Sequence, residues 1–316
     1  MRTVISVNRR CNLRCKMCDI GQHVCGSGMS ANWLGEGELS STEWVAKLTD
    51  LRSRHVHIQG VEPLLYDGID ELLATLSRSM KVWLTTNGWF LEKHLSNVGA
   101  CCSNVAVSID GPTAEIHDAI RGVPGSFDRA VAGLRGLREI WPNTGVRLSF
   151  AITPDNYRHM AEYHRVFCRD MGITAVFNHY NYIHPDSCIG YDCKPANLAV
   201  YDPASIDIEE LFAQVKSCVG NCTFLPTLET AEKLRRWYQE PPTSTLFNHK
   251  CQPLQLALAG QRRAMAADGS SIIAGRCWLD EACKGSWPER LAQADNLMRE
   301  GLPPPCQRLC CAGQVL

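Results

Sequence analysis

The sequence lacks the features that mark several classes of protein. It has no run of like charges, and 32 Lys and Arg residues against 33 Asp and Glu residues give a formal net charge of -1. Nucleic-acid and anionic-membrane surfaces both need a local excess of basic charge, so neither partner is expected. The amino terminus has no signal-peptide core, and no run of about 18 apolar residues occurs anywhere. We therefore expect a cytoplasmic protein that binds neither nucleic acid nor membrane.

Cysteine, in contrast, is abundant. The 17 cysteines among 316 residues amount to about 5%, short of the ~8–10% that is typical of small disulfide scaffolds. Because thiols stay reduced in the cytosol, this number of cysteines favours metal binding or thiol chemistry over structural bridges. Hydrophobic residues make up 45% of the chain, which is ample for a buried core.

The pattern from residue 3 to about residue 178 predicts an α/β fold. Short runs rich in β-branched and aromatic residues alternate with amphipathic stretches, and Ser40 followed by Glu43 predicts a capping box at the start of one helix. Strands are predicted at 3–7, 55–60, 81–86, 105–110, 146–152 and 174–178. This alternation favours a partial (β/α)6 barrel of parallel strands, with ligands at the carboxyl ends of the strands.

Two segments interrupt the alternation, and the pattern changes towards the end of the chain. Residues 19–39 and 179–205 are too long for plain connections and are predicted to be lids or binding loops. After about residue 220 the sequence becomes irregular and cysteine-rich, with a turn predicted around Asp268 and Gly269. We therefore expect a barrel domain over 1–220 and a small second domain over 221–316.

The first cysteine group follows the first predicted strand directly. Cys11, Cys15 and Cys18 are spaced so that three thiolates can bind one face of a [4Fe-4S] cluster. Such a cluster keeps one iron open for a substrate or cofactor, as a catalytic metal does. The alternative is a zinc knuckle with a distant fourth ligand such as His23.

Further motifs make a family resemblance specific. Gly60-Val61-Glu62-Pro63 resembles a GGEP motif in which Val61 replaces the second glycine, and Thr85-Thr86-Asn87-Gly88 resembles a TNG turn. Residues 108–127 carry Ser-Ile-Asp-Gly, His-Asp, Arg-Gly and Gly-Ser-Phe in the order of an SxDG...HDxxRGxxGSF signature. Together with the CxxxCxxC loop, these motifs resemble the radical S-adenosylmethionine (radical SAM) superfamily, in its branch with auxiliary clusters.

The resemblance implies how S-adenosylmethionine (SAM) binds. SAM would chelate the open iron, the Glu62 carboxylate would accept from its ammonium group, and Arg121 would pair with its carboxylate. From the residues alone, Glu62 is equally a helix-capping residue and Arg121 equally a surface charge. The full set of implied SAM contacts is Met17, Gly60, Glu62, Pro63, Asn87, Ser108, Asp110 and Arg121.

Six further cysteines lie in the last 66 residues. Their order resembles the twitch domain, the shorter form of the SPASM domain, which implies one auxiliary [4Fe-4S] cluster. The preferred ligands are Cys251, Cys277, Cys306 and Cys310, with Cys283 and Cys311 as rivals and a structural zinc as the alternative. Cys251 is the least certain of the four, because the others with Cys283 can supply four thiolates and leave its thiol as a hydrogen donor.

The sequence gives a function but not a substrate. We expect a radical SAM enzyme that abstracts hydrogen from a C–H bond of a small carbohydrate-like substrate, with an aminoglycoside as one candidate. The enzyme would act as an epimerase or dehydrogenase. Asn178, His179 and Tyr180 are the candidate substrate contacts, because they place polar groups at the last strand end. Ten residues before Cys11 leave no room for a peptide-recognition domain, so peptide crosslinking is the second expectation. A flavodoxin or ferredoxin would supply electrons, and a two-cluster electron carrier is the non-enzymatic alternative.

Overall fold

The computed structural model describes residues 2–18, 37–179, 206–218, 262–265 and 267–269. The chain divides into two compact units. One consists of Met1–Phe150 with Leu256–Gly275, and the other of Ala151–Gln255 with Arg276–Leu316. None of the helices in these described ranges has the length and apolar character needed to cross a bilayer.

All six predicted strands are confirmed, and a seventh is added. The strands are β1 (Arg2–Ile5), β2 (His55–Ile58), β3 (Lys81–Thr86), β4 (Cys102–Ser108), β5 (Gly145–Ile152), β6 (Thr174–His179) and β7 (Arg262–Met265). In the first unit, six of them form a parallel sheet in the order β5-β4-β3-β2-β1-β7. Residues 262–265, which lie in the range predicted for the second domain, pair with β1. The predicted α/β class with parallel strands is confirmed.

Helices connect the strands, as the alternating pattern predicts. The first unit contains α1 (Ser41–Asp50), α2 (Ile69–Leu76), α3 (Leu95–Cys101), α4 (Ala114–Arg121) and α5 (Ser126–Ile140). The capping box at α1 is confirmed, because the Glu43 N–H donates to Ser40 Oγ at 3.3 Å and the Ser40 N–H donates to Glu43 Oε2 at 2.8 Å. This pair satisfies two backbone donors at the helix start.

The two faces of the sheet differ in character. Val82, Leu84, Val105 and Val107 are 0–1% exposed on one face, and α5 packs here, because a Cβ built at Gly88 would meet both Ala130 of α5 and Val107. The strand register aligns the alternate residues on the other face, which therefore carries several half-buried polar side chains. A parallel sheet usually buries apolar side chains on both faces, so this polar face points to ligand binding.

The described part of the second unit has an aromatic core. Tyr163, at the end of α6 (Met160–Tyr163), stacks against Phe167 with ring centroids 4.8 Å apart and against Phe177 of β6 at 5.8 Å. A π-helical segment, His164–Asp170, continues α6. The last helix in the described part of the chain, α7 (Ile208–Cys218), is joined to the preceding elements by an ion pair between Arg158 and Glu210 at 2.8 Å.

Candidate functional site

The cysteine loop leaves β1 and rests on the end of α4. The backbone N–H of Lys16 donates to the Ile120 carbonyl at 2.8 Å, and that of Arg14 donates to the Arg121 carbonyl at 3.1 Å. Gly122, which follows, has a φ of +73°, and a Cβ there would collide with the Arg14 carbonyl. The glycine is therefore required both for the helix-ending turn and for the approach of the loop.

The three thiols of this loop lie in a desolvated setting. Cys15 is buried, and Cys11 and Cys18 are half-buried. Burial raises the pKa of Cys11 to about 12, and the nearby Cys15 and Cys18 add to the effect. Binding a cluster would therefore release thiol protons, as metal binding by cysteine requires. Among the described residues, no group of three or more His, Cys, Asp or Glu side chains is close enough to hold a single metal ion.

Arg121 joins the cysteine loop to the end of β4. Its Nη2 lies 2.6 Å from Asp110 Oδ2, and its Nη1 donates to Cys15 Sγ at 3.8 Å. Burial alone would lower the pKa of Arg121, but the Asp110 and Cys15 charges outweigh it and raise that pKa. Arg121 is thus a buried cation with two internal partners, rather than the surface charge that was its alternative. Its pairing with the carboxylate of a bound ligand stays a prediction.

His117 supports Asp110 from α4. Its Nδ1 accepts the Asp110 backbone N–H at 3.0 Å, and its ring meets Phe127 edge-on at 5.7 Å. An accepting Nδ1 places the proton of the neutral ring on Nε2. Burial, followed by the Arg121 charge, holds the pKa of His117 well below its usual value. The ring is therefore neutral and fixes the backbone from which the Asp110 carboxylate extends.

Asp118 caps α5. Its carboxylate accepts from Gly125 N–H at 2.6 Å, Ser126 Oγ at 2.7 Å and Phe127 N–H at 2.8 Å. The Gly125 and Phe127 N–H groups are backbone donors at a helix start that have no acceptor within the helix. The His-Asp and Gly-Ser-Phe parts of the signature, whose individual roles were not predicted, thus build the α4–α5 junction that holds Asp110 and Arg121.

Glu62 joins the loop after β2 to the turn after β3. Oε1 accepts from Leu64 N–H at 3.0 Å and Thr86 Oγ1 at 2.7 Å, and Oε2 accepts from Asn87 N–H at 2.7 Å. The side chain is 0% exposed, and this burial raises its pKa against the opposing effect of the three hydrogen bonds. Glu62 therefore does cap the short helix Pro63–Leu65, and its contact with the ammonium group of a ligand stays a prediction.

Asn87 connects that turn to the cysteine loop. Its Nδ2 donates to Asn12 Oδ1 at 2.9 Å, and its Oδ1 accepts the Trp89 N–H at 2.9 Å. Asn12 lies between the first two cysteines. It was not predicted as a site residue, because nothing in the sequence links it to a residue 75 positions away. Asn8 was missed in the same way, and its Nδ2 donates to the Glu62 carbonyl at 2.7 Å.

The other predicted contacts lie around these loops. Gly60 has a φ of +121°, and a Cβ there would collide with the Ser6 side chain. Pro63 begins its short helix, and Met17 is half-buried beside Cys18. Ser108 ends β4 in register with Ser149 of β5. These positions keep their predicted roles as expectations.

Several predicted residues lie outside the described ranges. They are His23, Tyr180, Cys251, Cys277, Cys283, Cys306, Cys310 and Cys311. The side chains of Asn178 and His179, at the end of β6, are likewise not described.

Comparison with known proteins agrees with this geometry. Residues 5–166 match the family model of the radical SAM superfamily. The AdoMet-dependent heme synthase of Nitratidesulfovibrio vulgaris is 27% identical over 175 residues, which are 54% of this chain and 45% of that protein. The Fe-coproporphyrin III synthase of Methanosarcina barkeri is 33% identical over 163 residues, 49% of this chain and 38% of that protein. The chain thus spans less than half the length of either relative in these matches.

A solved structure extends the likeness in fold. Streptococcus suis SuiB, bound to its precursor peptide SuiA, superposes with a TM-score of 0.59 at 16% identity. The match covers 90% of this chain and 61% of SuiB. At that identity the likeness concerns the fold, and it agrees with the predicted partial barrel.

Proposed function

The chain belongs to the radical SAM superfamily, and from that premise we propose that Cys11, Cys15 and Cys18 hold a [4Fe-4S] cluster that binds SAM at its fourth iron. When bound there, and given an electron from a flavodoxin or ferredoxin, the cluster and SAM would supply the chemistry of a 5'-deoxyadenosyl radical. The radical would abstract hydrogen from a C–H bond of the substrate. The part of the protein is to orient the reactants and keep water away.

One observation carries this proposal. The three cysteines lie on one short loop at the carboxyl end of β1, where ligands of parallel α/β proteins bind. Four described contacts fix this loop against α4 and the turn after β3, namely the Arg14 and Lys16 backbone bonds, the Arg121–Cys15 contact and the Asn12–Asn87 bond. The loop is therefore held in place before any cofactor binds, which lowers the cost of ordering it.

The residues around the loop suit the two ends of a SAM amino-acid group. The Arg121 guanidinium can share its donors between Asp110 and a carboxylate. The Glu62 carboxylate adds a negative charge near Cys11, since it is one cause of the raised pKa of that thiol. An ammonium group beside it would be stabilised. Ser108 and Met17 are retained as contacts with ribose or adenine.

An auxiliary [4Fe-4S] cluster is part of the proposal. Its ligands would be Cys251, Cys277, Cys306 and Cys310, with Cys283 and Cys311 as substitutes, and the support is their spacing alone. Iron analysis of the reconstituted protein should give about eight irons per chain, on the premise of four irons per cluster. A count near four with zinc present would favour a structural zinc instead.

Two substrate classes remain in the proposal. A carbohydrate-like substrate, with epimerisation or dehydrogenation, is supported by the polar residues predicted around the end of β6. Peptide maturation is supported by the fold likeness to SuiB, which binds the precursor peptide SuiA. Neither class follows from the names of the curated relatives, which concern haem and iron coproporphyrin.

Product analysis tests the proposed function. Reduced, reconstituted protein incubated with SAM should form 5'-deoxyadenosine and methionine, measured by mass spectrometry. Changing Cys11, Cys15 and Cys18 to Ala should abolish both products. Cys101→Ala, at the half-buried end of α3, is the matched control and should leave them unchanged. SAM cleavage by the triple variant would refute the assignment.

A further inference from the structure

The polar face of the sheet holds a positively charged side chain on an aromatic ring. Arg147 of β5 lies with its guanidinium carbon 4.9 Å from the ring centroid of Trp83 in β3. The Trp83 ring also contacts His57 of β2, whose ring meets it edge-on at 6.1 Å. His57 Nε2 lies 2.8 Å from Thr85 Oγ1. These four residues, His57, Trp83, Thr85 and Arg147, are here called the lumen cluster.

The strand register places the lumen cluster on one face. His57 is opposite Trp83, Thr85 is opposite Ala106, and Ala106 is opposite Arg147. Residues opposite each other in neighbouring strands point to the same side of a sheet. The cluster is thus on the face opposite to the one on which α5 packs.

Arg147 has no acidic partner within the described ranges. Its cation–π contact with Trp83 is its one described interaction, and β1–β5 and β7 contain no Asp or Glu at all. The nearest carboxylate along β4 is Asp110, which Arg121 already pairs with at 2.6 Å. Every other buried charge of the site is matched by an opposite charge or by several hydrogen bonds. Arg147 differs from all of them.

The half-buried position of Arg147 destabilises its positive charge. Burial lowers the pKa of Arg147, which means that the charged form is destabilised where it lies. A guanidinium nevertheless stays charged at neutral pH. A half-buried, unmatched cation on a sheet face is therefore expected to gain an anion from a ligand.

The position of Arg147 along β5 suits contact with a substrate rather than with a surface ion. Arg147 precedes Ser149 by two residues, and Ser149 is in register with Ser108 at the carboxyl end of β4. Two residues along a strand span roughly 6.6 Å. Its guanidinium lies on Trp83, which is in register with Asn104, four residues before Ser108. The cation thus lies on the polar face, two to four residues below the end of β4, where a molecule that extends from the strand-end loops into this face would contact it.

We propose that the substrate is an anion and that its carboxylate or phosphate group pairs with Arg147, which Trp83 holds in place. This inference rests on the proposed function, because it assigns the substrate of the same site. A guanidinium fits both groups through paired N–H donors, and stacking on an indole ring orients the donors without using them. Arg147 would be a substrate-binding residue and would take no part in binding SAM.

Matched variants and matched ligands test the assignment. The proteins are the reconstituted wild type, Arg147→Gln, Arg147→Lys and Arg135→Gln, the last being an exposed arginine of α5 as charge control. SAM affinity is measured by calorimetry. Substrate use is measured as 5'-deoxyadenosine formed above the level with SAM alone. The ligands are peptides with free or amidated carboxyl termini and sugar phosphates with their parent sugars, so that the two arms separate a carboxylate source from a phosphate source.

We expect one anionic set to stimulate the wild type and its neutral partners to fail. Arg147→Gln should raise the half-saturating concentration at least tenfold, Arg147→Lys should restore part of the loss, and Arg135→Gln should change nothing. SAM affinity should stay within twofold in all four proteins. Equal stimulation by neutral ligands, or no stimulation by any anionic ligand, would overturn the inference. A tenfold loss of SAM affinity in Arg147→Gln would overturn it as well, because the carboxylate of SAM would then be the partner.

The proposed function fails in a different way. If the wild type forms no 5'-deoxyadenosine from SAM at all, radical chemistry is lost and the substrate assignment falls with it. If SAM is cleaved normally and the Arg147 variants behave as wild type with every ligand, radical chemistry stands and only the anion assignment is lost.

Discussion

The strand-end loops and the polar face of the sheet differ in how they satisfy their charges. In the loops, Glu62 accepts three hydrogen bonds, Asp118 accepts three, and Asp110 pairs with Arg121. On the sheet face, Arg147 has an aromatic ring beside it and no described carboxylate. In the first region each of these charged groups has an internal partner, while Arg121 Nε and Asn12 Nδ2 are buried donors with no described hydrogen-bond acceptor and can serve a ligand. The second is left for a ligand to complete.

This comparison implies that substitutions in the loops damage folding and cofactor binding together, whereas substitutions on the sheet face affect substrate alone. The largest effect is expected at Arg121. Arg121→Gln leaves the buried Asp110 carboxylate without its partner, and breaking a buried ion pair from one side typically costs ~3–5 kcal/mol. Urea unfolding should show that loss. The exposed pair of Arg158 and Glu210 is the control, and Arg158→Gln should cost clearly less, because water screens an exposed ion pair. Similar losses of unfolding free energy in Arg121→Gln and Arg158→Gln would contradict the stronger contribution expected of the buried ion pair.

Glu62→Gln should have the next largest effect. The substitution removes the negative charge proposed to accept from the SAM ammonium group, and losing a hydrogen bond to a charged group typically costs ~1.5–3 kcal/mol. SAM affinity measured by calorimetry should fall roughly ten- to a hundredfold, on ~1.4 kcal/mol per tenfold. The exposed Glu71→Gln in α2 is the control. Unchanged SAM affinity would leave Glu62 as a helix-capping residue only.

Asp118→Ala tests whether the signature residues act through structure. It removes the acceptor for three donors at the start of α5, and loss of such a cap costs about 0.5–2 kcal/mol. The midpoint of urea unfolding should fall accordingly. Asp128→Ala, exposed in the first turn of the same helix, should cost less, because it removes only a favourable interaction of about 0.3–1 kcal/mol with the helix dipole. Equal losses would contradict the capping role.

The smallest effect on stability is expected on the sheet face. Arg147→Gln removes a charge that no described carboxylate pairs with, so the free energy of unfolding should fall by no more than about 1 kcal/mol, the scale of its cation–π contact with Trp83. A loss above ~2 kcal/mol would show that Arg147 stabilises the fold. The polar sheet face would then depend on its charged residue for stability, as the strand-end loops do.

Much of the fold and part of the site could be predicted from the sequence, because they depend on local sequence pattern. The alternation of apolar runs predicted six strands, and Ser40 with Glu43 predicted the start of α1. The family resemblance marked Glu62, Asp110 and Arg121. Their partners were not predictable, since Asn12 meets Asn87 and Asn8 meets Glu62 only after the sheet has aligned the strand ends.

The added strand was missed for a similar reason. The four residues of β7, Arg-Arg-Ala-Met, show no apolar alternation, and pairing with β1 decides their structure. Arg147 was missed because a cation within a predicted strand is not unusual. It became notable only when the register showed that no carboxylate of the described strands lies beside it.

The central claim is that the loop of Cys11, Cys15 and Cys18 holds a cluster whose open iron binds SAM. Electron–nuclear double resonance on the reduced wild type with SAM labelled at its amino nitrogen and carboxylate oxygen tests it most directly. We expect hyperfine coupling of both labels to the cluster, and its loss in the triple alanine variant. Labelled SAM that binds by calorimetry yet shows no coupling would contradict the account.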